Sequence, residues 1–134
     1  MANDIEARGA RLARLWILIA VTYLVAGATV GVIMGASMNF TFAPVHAHIN
    51  LLGWASMALA GLIYDRFPWA GGSKLGVAHF WLHNTVLPAL MVVLFLFLGG
   101  NQALGPVLGV FSVLMLLTLA LFAVNLWMNL RRAA

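Results

Sequence analysis

Charge is what this chain has least of. Only 7% of its 134 residues are charged, while 64% are hydrophobic and the mean hydropathy is +1.04. A soluble domain carries about 25% charged residues, so this chain has too few polar side chains to cover a surface in water. The high pI of about 10.8 comes from seven Lys and Arg against three Asp and Glu, not from a basic face, which argues against nucleic-acid binding. The composition indicates an integral protein of the lipid bilayer.

Cysteine is absent as well. Its absence excludes disulfides, thiolate ligands, cysteine nucleophiles and covalent attachment of haem. The apolar stretches hold no carboxylate, Lys or Arg, which argues against an ion carrier built on membrane-embedded charges. Paired-carboxylate catalysis and a Ser-His-Asp set are excluded on the same ground. The remaining chemistry is that of imidazole, since metal ligation, proton transfer and hydrogen bonding are the main uses of histidine.

The spacing of the charges sets the architecture. The ten charged residues are Asp4, Glu6, Arg8, Arg11 and Arg14, then Asp65, Arg66 and Lys74, then Arg131 and Arg132. The two uncharged gaps between these groups hold 50 and 56 residues. Each gap accommodates two helices of about 20 residues with a short turn. The sequence therefore predicts one all-α domain over residues 1–134, a four-transmembrane-helix bundle. Its predicted spans lie near 15–37, 44–64, 76–98 and 104–128.

The same spacing predicts the orientation. All Lys and Arg lie on one side of such a bundle, and the positive-inside rule makes that side cytoplasmic. Both termini are then cytoplasmic, as in a multi-pass protein of a bacterial-type inner membrane.

Small residues and prolines mark packing sites. Gly27, Gly31 and Gly35 recur every four residues and form a stripe that allows close approach of helix backbones. Packing within the bundle is the favoured interpretation, and room for a flat ligand or a second subunit is the alternative. Pro44 suits the first turn of a helix, whereas Pro88 is predicted to bend the third span.

Four histidines carry the functional hypotheses. His46 and His48 are two residues apart, about 200° of helix rotation, so they face opposite sides and suit two separate sites. His79 and His83 are four residues apart near the inner end of the third span. They share a helix face there and are candidates to hold one metal ion.

Depth limits how these ligands combine. His48 is expected about 6 Å in from the outer end of its span and His83 about 10 Å in from the inner end. They are then on the order of 14 Å apart across a core of about 30 Å. One iron cannot join them within a chain, so a bis-imidazole site at the outer level predicts a homo-oligomer. Met34 and Met38 share that level, and thioether sulfur suits Cu(I).

Three motifs resemble a known family. They are Pro44-Val-His-Ala-His-Ile-Asn-Leu-Leu-Gly-Trp54, then Tyr64-Asp-Arg-Phe-Pro68, and then His79-Phe-Trp81. Over roughly residues 40–98 the chain resembles the tenth and eleventh helices of subunit I of the haem-copper oxidases. It also looks like the short stand-alone membrane proteins grouped with that subunit.

The resemblance implies roles for the first two histidines. His46 matches the axial ligand of the family's high-spin haem and His48 a ligand of its low-spin haem, whereas His79 matches a position without a haem ligand. The family's copper-binding histidines and their tyrosine have no counterpart here. Oxygen reduction by this chain alone is therefore not expected, and the sequence does not favour an enzyme.

The leading hypothesis is a membrane haem-binding protein, a b-type cytochrome that acts in electron transfer or diatomic-gas binding. His46 and His48 would ligate, with Asn50 and Trp54 beside the cofactor. The alternatives are copper bound by Met34, Met38, His46 and His48, or a non-catalytic assembly subunit of a respiratory complex. The expected partners are the bilayer, a second copy of the chain, and a redox partner or a quinone.

Overall fold

A computed structural model describes residues 2–131, and every regular element in that range is helical. The elements are α1 (Ala2–Ser37), α2 (Ala43–His48), a π-helix (Ile49–Ala55), α3 (Ser56–Arg66), α4 (Pro68–Gly71), α5 (Lys74–Leu98), a 3₁₀ turn (Gln102–Leu104) and α6 (Gly105–Arg131). Four helical segments are long and apolar enough to cross a membrane. From here these are spans 1 to 4: Asn3–Ser37, Ala43–Arg66, Lys74–Leu98 and Gln102–Arg131. The predicted all-helical class is confirmed, with four helices of the length and hydropathy that a membrane crossing needs.

The first helix begins earlier than the predicted first span. α1 has 36 residues, about 54 Å of helix, against a hydrocarbon core of about 30 Å. Its charged N-terminal part packs against the connection between spans 2 and 3. There the Arg8 guanidinium donates to the Gly72 carbonyl, at 2.6 Å from Nη2 and 3.1 Å from Nε. The charged N-terminal segment and the charged middle loop therefore lie at one end of the bundle, while Arg132 is outside the described residues.

Two glycines make that contact close. A Cβ atom on Gly9 would collide with the Pro68 carbonyl, and one on Gly72 would collide with the carbonyl of Ile5. Backbone therefore meets backbone at this junction. The extension of α1 is held by these contacts rather than by hydropathy, which is why the apolar stretch alone placed its start too late.

The glycine stripe of span 1 faces span 2 of the same chain. A Cβ on Gly27 would lie 2.6 Å from the Asn50 side-chain amide, and one on Gly31 would lie 2.8 Å from Cε1 of His46. Gly35 has nothing within 4 Å. Packing within the bundle is thus confirmed for the first two glycines, whose space is occupied by span 2 and not open to a flat ligand.

Neither proline interrupts the helix in which it lies. Pro44 lies in the first turn of α2, as predicted, where its missing N–H leaves no helix bond unmade. Pro88 lies inside α5, which is assigned as one helix from Lys74 to Leu98.

The backbone junction at Gly9 can be tested by adding one methyl group. Gly9→Ala is expected to lower the free energy of unfolding by about 1–3 kcal/mol, because the new Cβ overlaps the Pro68 carbonyl. Gly109→Ala is the matched control. Nothing lies within 4 Å of its Cβ position, and alanine is favoured over glycine in a helix by roughly 0.5–1 kcal/mol. Thermal unfolding in detergent measures both, and an unchanged Tm for Gly9→Ala would contradict the close packing.

Candidate functional site

A π-helix interrupts span 2 just after the His-x-His motif. Within Ile49–Ala55 the backbone bonds reach five residues back, and the segment ends with Ser56 N–H donating to the Leu51 carbonyl. The Ser56 hydroxyl donates to the same carbonyl at 2.7 Å. Such π-turns are rare and are frequent at functional sites. The sequence does not predict this element, since an apolar helical pattern carries no signal for one extra residue in a turn.

Hydrogen bonds hold both the ring and the backbone of His46. Its Nδ1 lies 2.9 Å from the Gly27 carbonyl on span 1. Because a carbonyl only accepts, Nδ1 carries the proton of the neutral ring and Nε2 keeps its lone pair. Asn50 donates to the backbone carbonyl of His46 at 2.8 Å. Asn50 therefore supports His46, and Nε2 is the nitrogen left for a ligand.

His48 has the same tautomer on the opposite face. Its Nδ1 donates to the Pro44 carbonyl at 2.7 Å, which again leaves the Nε2 lone pair. A metal-ligating histidine typically donates its other N–H in this way. His46 faces span 1 while His48 lines a groove between spans 2, 3 and 4, so the predicted opposite faces are confirmed.

The groove beside His48 is large and apolar. Its volume is about 390 Å³, within the range of roughly 300–1,000 Å³ that small-molecule sites occupy. The other lining residues are Leu52, Leu90, Leu94, Leu108, Ser112, Met115, Leu116 and Leu119. His48 is the only titratable side chain in this lining, so any coordination chemistry in the groove depends on it.

His79 is buried in the core of the bundle. Only 1% of it is exposed, and its ring lies 4.8 Å from Trp16 and 4.8 Å from Phe122, centroid to centroid. Its Nδ1 is 3.0 Å from the Tyr64 hydroxyl, which in turn accepts from Asn125 Nδ2 at 3.1 Å. The Tyr64 proton is then donated to His79. His79 is therefore the Nε2–H tautomer, the reverse of His46 and His48.

His83 is equally buried and bonds across to span 2. Its Nε2 donates to the Leu52 carbonyl at 3.0 Å, and within residues 2–131 its buried Nδ1 has no hydrogen-bond partner. The His79 and His83 rings are 5.6 Å apart at 89° and both line a cavity of about 180 Å³. The pair shares a helix face as predicted. One nitrogen of each ring is already used by the protein, and a shared metal ion stays a prediction.

His83 lies closer to the level of His48 than the sequence predicts. Its ring contacts the carbonyl of Leu52, four residues from His48, about 6 Å along the helix rather than 14 Å. The estimate assumed spans that begin and end at matching levels. Span 2 instead continues 14 residues beyond Leu52, to Arg66, while His83 lies only nine residues after Lys74, the first residue of span 3.

The other predicted site residues are Met34, Met38 and Trp54. Met34 is 7% exposed and lines an apolar cavity of about 240 Å³ with Phe42 and Phe95, whereas Met38 is 76% exposed. Trp54 is half-buried and packs against the core. In the described part of the chain, no group of three or more His, Cys, Asp or Glu is arranged to hold a metal ion.

Comparisons with protein-family models, with curated proteins and with solved structures find no match to this chain. The resemblance to the haem-copper oxidases therefore rests on the three sequence motifs alone.

The hydrogen bonds divide the four histidines into two tautomer pairs. At alkaline pH, where imidazole is neutral, ¹⁵N NMR of histidine-labelled protein is expected to show Nδ1–H for His46 and His48, and Nε2–H for His79 and His83. Single His→Gln variants assign the signals. Nδ1–H on His79 would contradict the bond chain through Tyr64, and Nε2–H on His48 would contradict its bond to Pro44.

Proposed function

We propose that this chain is a membrane protein that binds a b-type haem and acts in electron transfer or in binding a diatomic gas. The observation that carries the proposal is the state of His48. Its Nδ1–H is held by the Pro44 carbonyl, its Nε2 is free, and it lines an apolar groove of about 390 Å³. A histidine with that tautomer in an apolar cleft fits the axial-ligand role in haem proteins.

The residues of the groove fit a flat apolar group. Leucine and methionine side chains from three spans line it together with the His48 ring. Bound haem would supply an iron that carries one electron, or that leaves one coordination position open to a gas. The Pro44 carbonyl fixes the orientation of the His48 ring, as the hydrogen-bond acceptors of metal-binding histidines do.

His46 is proposed as a second ligand on the other face of span 2. Gly27 and Asn50 hold its ring and backbone, so Nε2 is the atom that remains for coordination. Asn50 acts through His46 in this proposal and does not touch the cofactor. The resemblance to the oxidases, in which a His-x-His pair serves two haems, supports the same division.

A second copy of the chain would complete a six-coordinate site. No other imidazole lines the groove beside His48, and His83 uses its Nε2 on the Leu52 carbonyl. Without a second copy the iron would be five-coordinate, which favours gas binding. On the positive-inside rule the site lies at the outer side of a bacterial-type inner membrane, and a redox partner or a quinone would exchange electrons there.

The haem hypothesis is preferred to copper because of where the methionines lie. Met34 belongs to a different cavity from His48, and Met38 is exposed. A Cu(I) site needs these sulfur atoms and imidazoles around one point. A purely structural subunit would have no use for a free Nε2 in the groove, and it would purify without colour.

The absorption spectrum of detergent-purified protein from haem-sufficient cells tests the proposal. The wild-type chain is expected to show a Soret band, and His48→Gly is expected to lose it. Added imidazole should restore the band in His48→Gly by entering the space of the lost ring. Ser112→Ala, in the same groove, should keep it. A colourless, folded wild-type protein would refute haem binding, and metal analysis would then test copper.

Filling the groove tests the location of the haem. Ser112→Trp adds a large ring between spans 2 and 4 and leaves both candidate ligands in place. It is expected to lower the haem content at least severalfold, with circular dichroism unchanged. Full haem content in Ser112→Trp would mean that the cofactor lies elsewhere, for example on the His46 face.

A further inference from the structure

The end of the π-helix leaves one backbone carbonyl to be accounted for. Ser56 N–H donates to Leu51, five residues back, and the α-helix resumes at Ser56. Where the backbone bonds change from spanning five residues to spanning four, one carbonyl receives no backbone N–H. That carbonyl belongs to Leu52, the residue after Leu51. An unpaired carbonyl inside a bilayer costs several kcal/mol. Such a turn therefore needs a donor from outside the helix.

His83 supplies that donor. Its Nε2–H bonds the Leu52 carbonyl at 3.0 Å from span 3, a sequence separation of 31 residues. The His83 side chain is 1% exposed, so water does not compete for the bond. No other side-chain donor to this carbonyl is found among residues 2–131. The bond thus joins the irregular turn of span 2 to the core of the bundle.

The turn sets the direction in which the two outer histidines face. A π-turn holds one residue more than an α-turn, so the helix before it is rotated by about 100° relative to an uninterrupted helix. α3, on the inner side, is fixed by Gly61, whose Cβ position meets Ile17 and Trp16 of span 1. Loss of the turn would therefore rotate α2, with His46 and His48, against a fixed inner half.

We propose that His83 is a positioning residue: by bonding the Leu52 carbonyl it holds the π-turn, and the π-turn aims His46 at span 1 and His48 at the groove. His83 does not touch the proposed haem. Its free Nδ1 plays no part in this role. This inference rests on the proposed function only in what it implies for haem binding. The orientation of His46 and His48 is a property of the fold and does not require haem.

The rotation can be measured in haem-free protein. The chain has no cysteine, so pairs of introduced cysteines carry spin labels without background. Leu51→Cys with Val124→Cys reports on the outer half of span 2, since both sites are exposed. Leu62→Cys with Val124→Cys reports on the inner half and serves as the reference pair. Double electron–electron resonance gives the distance distribution of each pair.

Three variants separate the bond from general packing. His83→Gln keeps an N–H at the ε position and is expected to preserve both distributions. His83→Leu removes the donor and is expected to shift or broaden the Leu51–Val124 distribution only. His79→Leu, the matched control one turn away, does not touch Leu52 and should leave that distribution unchanged. If His83→Leu does not fold, His83→Asn, whose amide is too short, replaces it with the same expectation.

Two results would overturn the proposal. One is an unchanged Leu51–Val124 distribution in both His83→Leu and His83→Asn. The other is an equal change in His79→Leu, which would reduce His83 to ordinary core packing. Where the wild-type protein binds haem, His83→Leu should also broaden the reduced α-band, and His83→Gln should restore it. A wild-type protein without haem would refute the proposed function and leave the distance measurement to judge His83.

Discussion

The fold depends on the rule that no backbone carbonyl in hydrocarbon goes unpaired. Span 2 breaks the regular helix ladder after its His-x-His motif, and the ladder is completed by a side chain of span 3. His83 therefore lies at the level of the irregular turn and bonds a carbonyl within it. Because His46 and His48 lie just before that turn, we propose that this bond in the core determines the direction in which the two histidines face.

Polar bonds give this apolar bundle a defined arrangement. Asn125 on span 4 donates to Tyr64 on span 2 and to the Ala70 carbonyl, and accepts from Ser73 at 2.8 Å. Tyr64 continues the chain to His79 on span 3. Between helices as apolar as the lipid around them, burial favours no single register, whereas hydrogen bonds and close glycine contacts do. The network joins three spans to the connection against which the N-terminal part of α1 packs.

The features that depend only on helix period and charge spacing could be predicted from the sequence. The number of crossings followed from the uncharged gaps, and the opposite faces of His46 and His48 followed from a separation of two residues. The burial of His79 and His83, the π-turn and the early start of α1 did not follow. Each is decided by a partner far along the chain, namely Trp16, His83 for Leu52, and Gly72 for Arg8. The spacing of residues within one helix does not identify such partners.

The same residue type serves two purposes here, and the difference is which nitrogen the protein uses. In His46 and His48 the backbone takes Nδ1, the atom nearer the main chain, and leaves Nε2 at the far end of the ring. In His83 the backbone takes Nε2, and the remaining Nδ1 is enclosed by the core. A ligand approaching from a groove reaches the first kind and not the second. Candidate coordination therefore lies with His48, exposed in the groove, and with the half-buried His46, although the buried pair has the spacing more typical of a metal site.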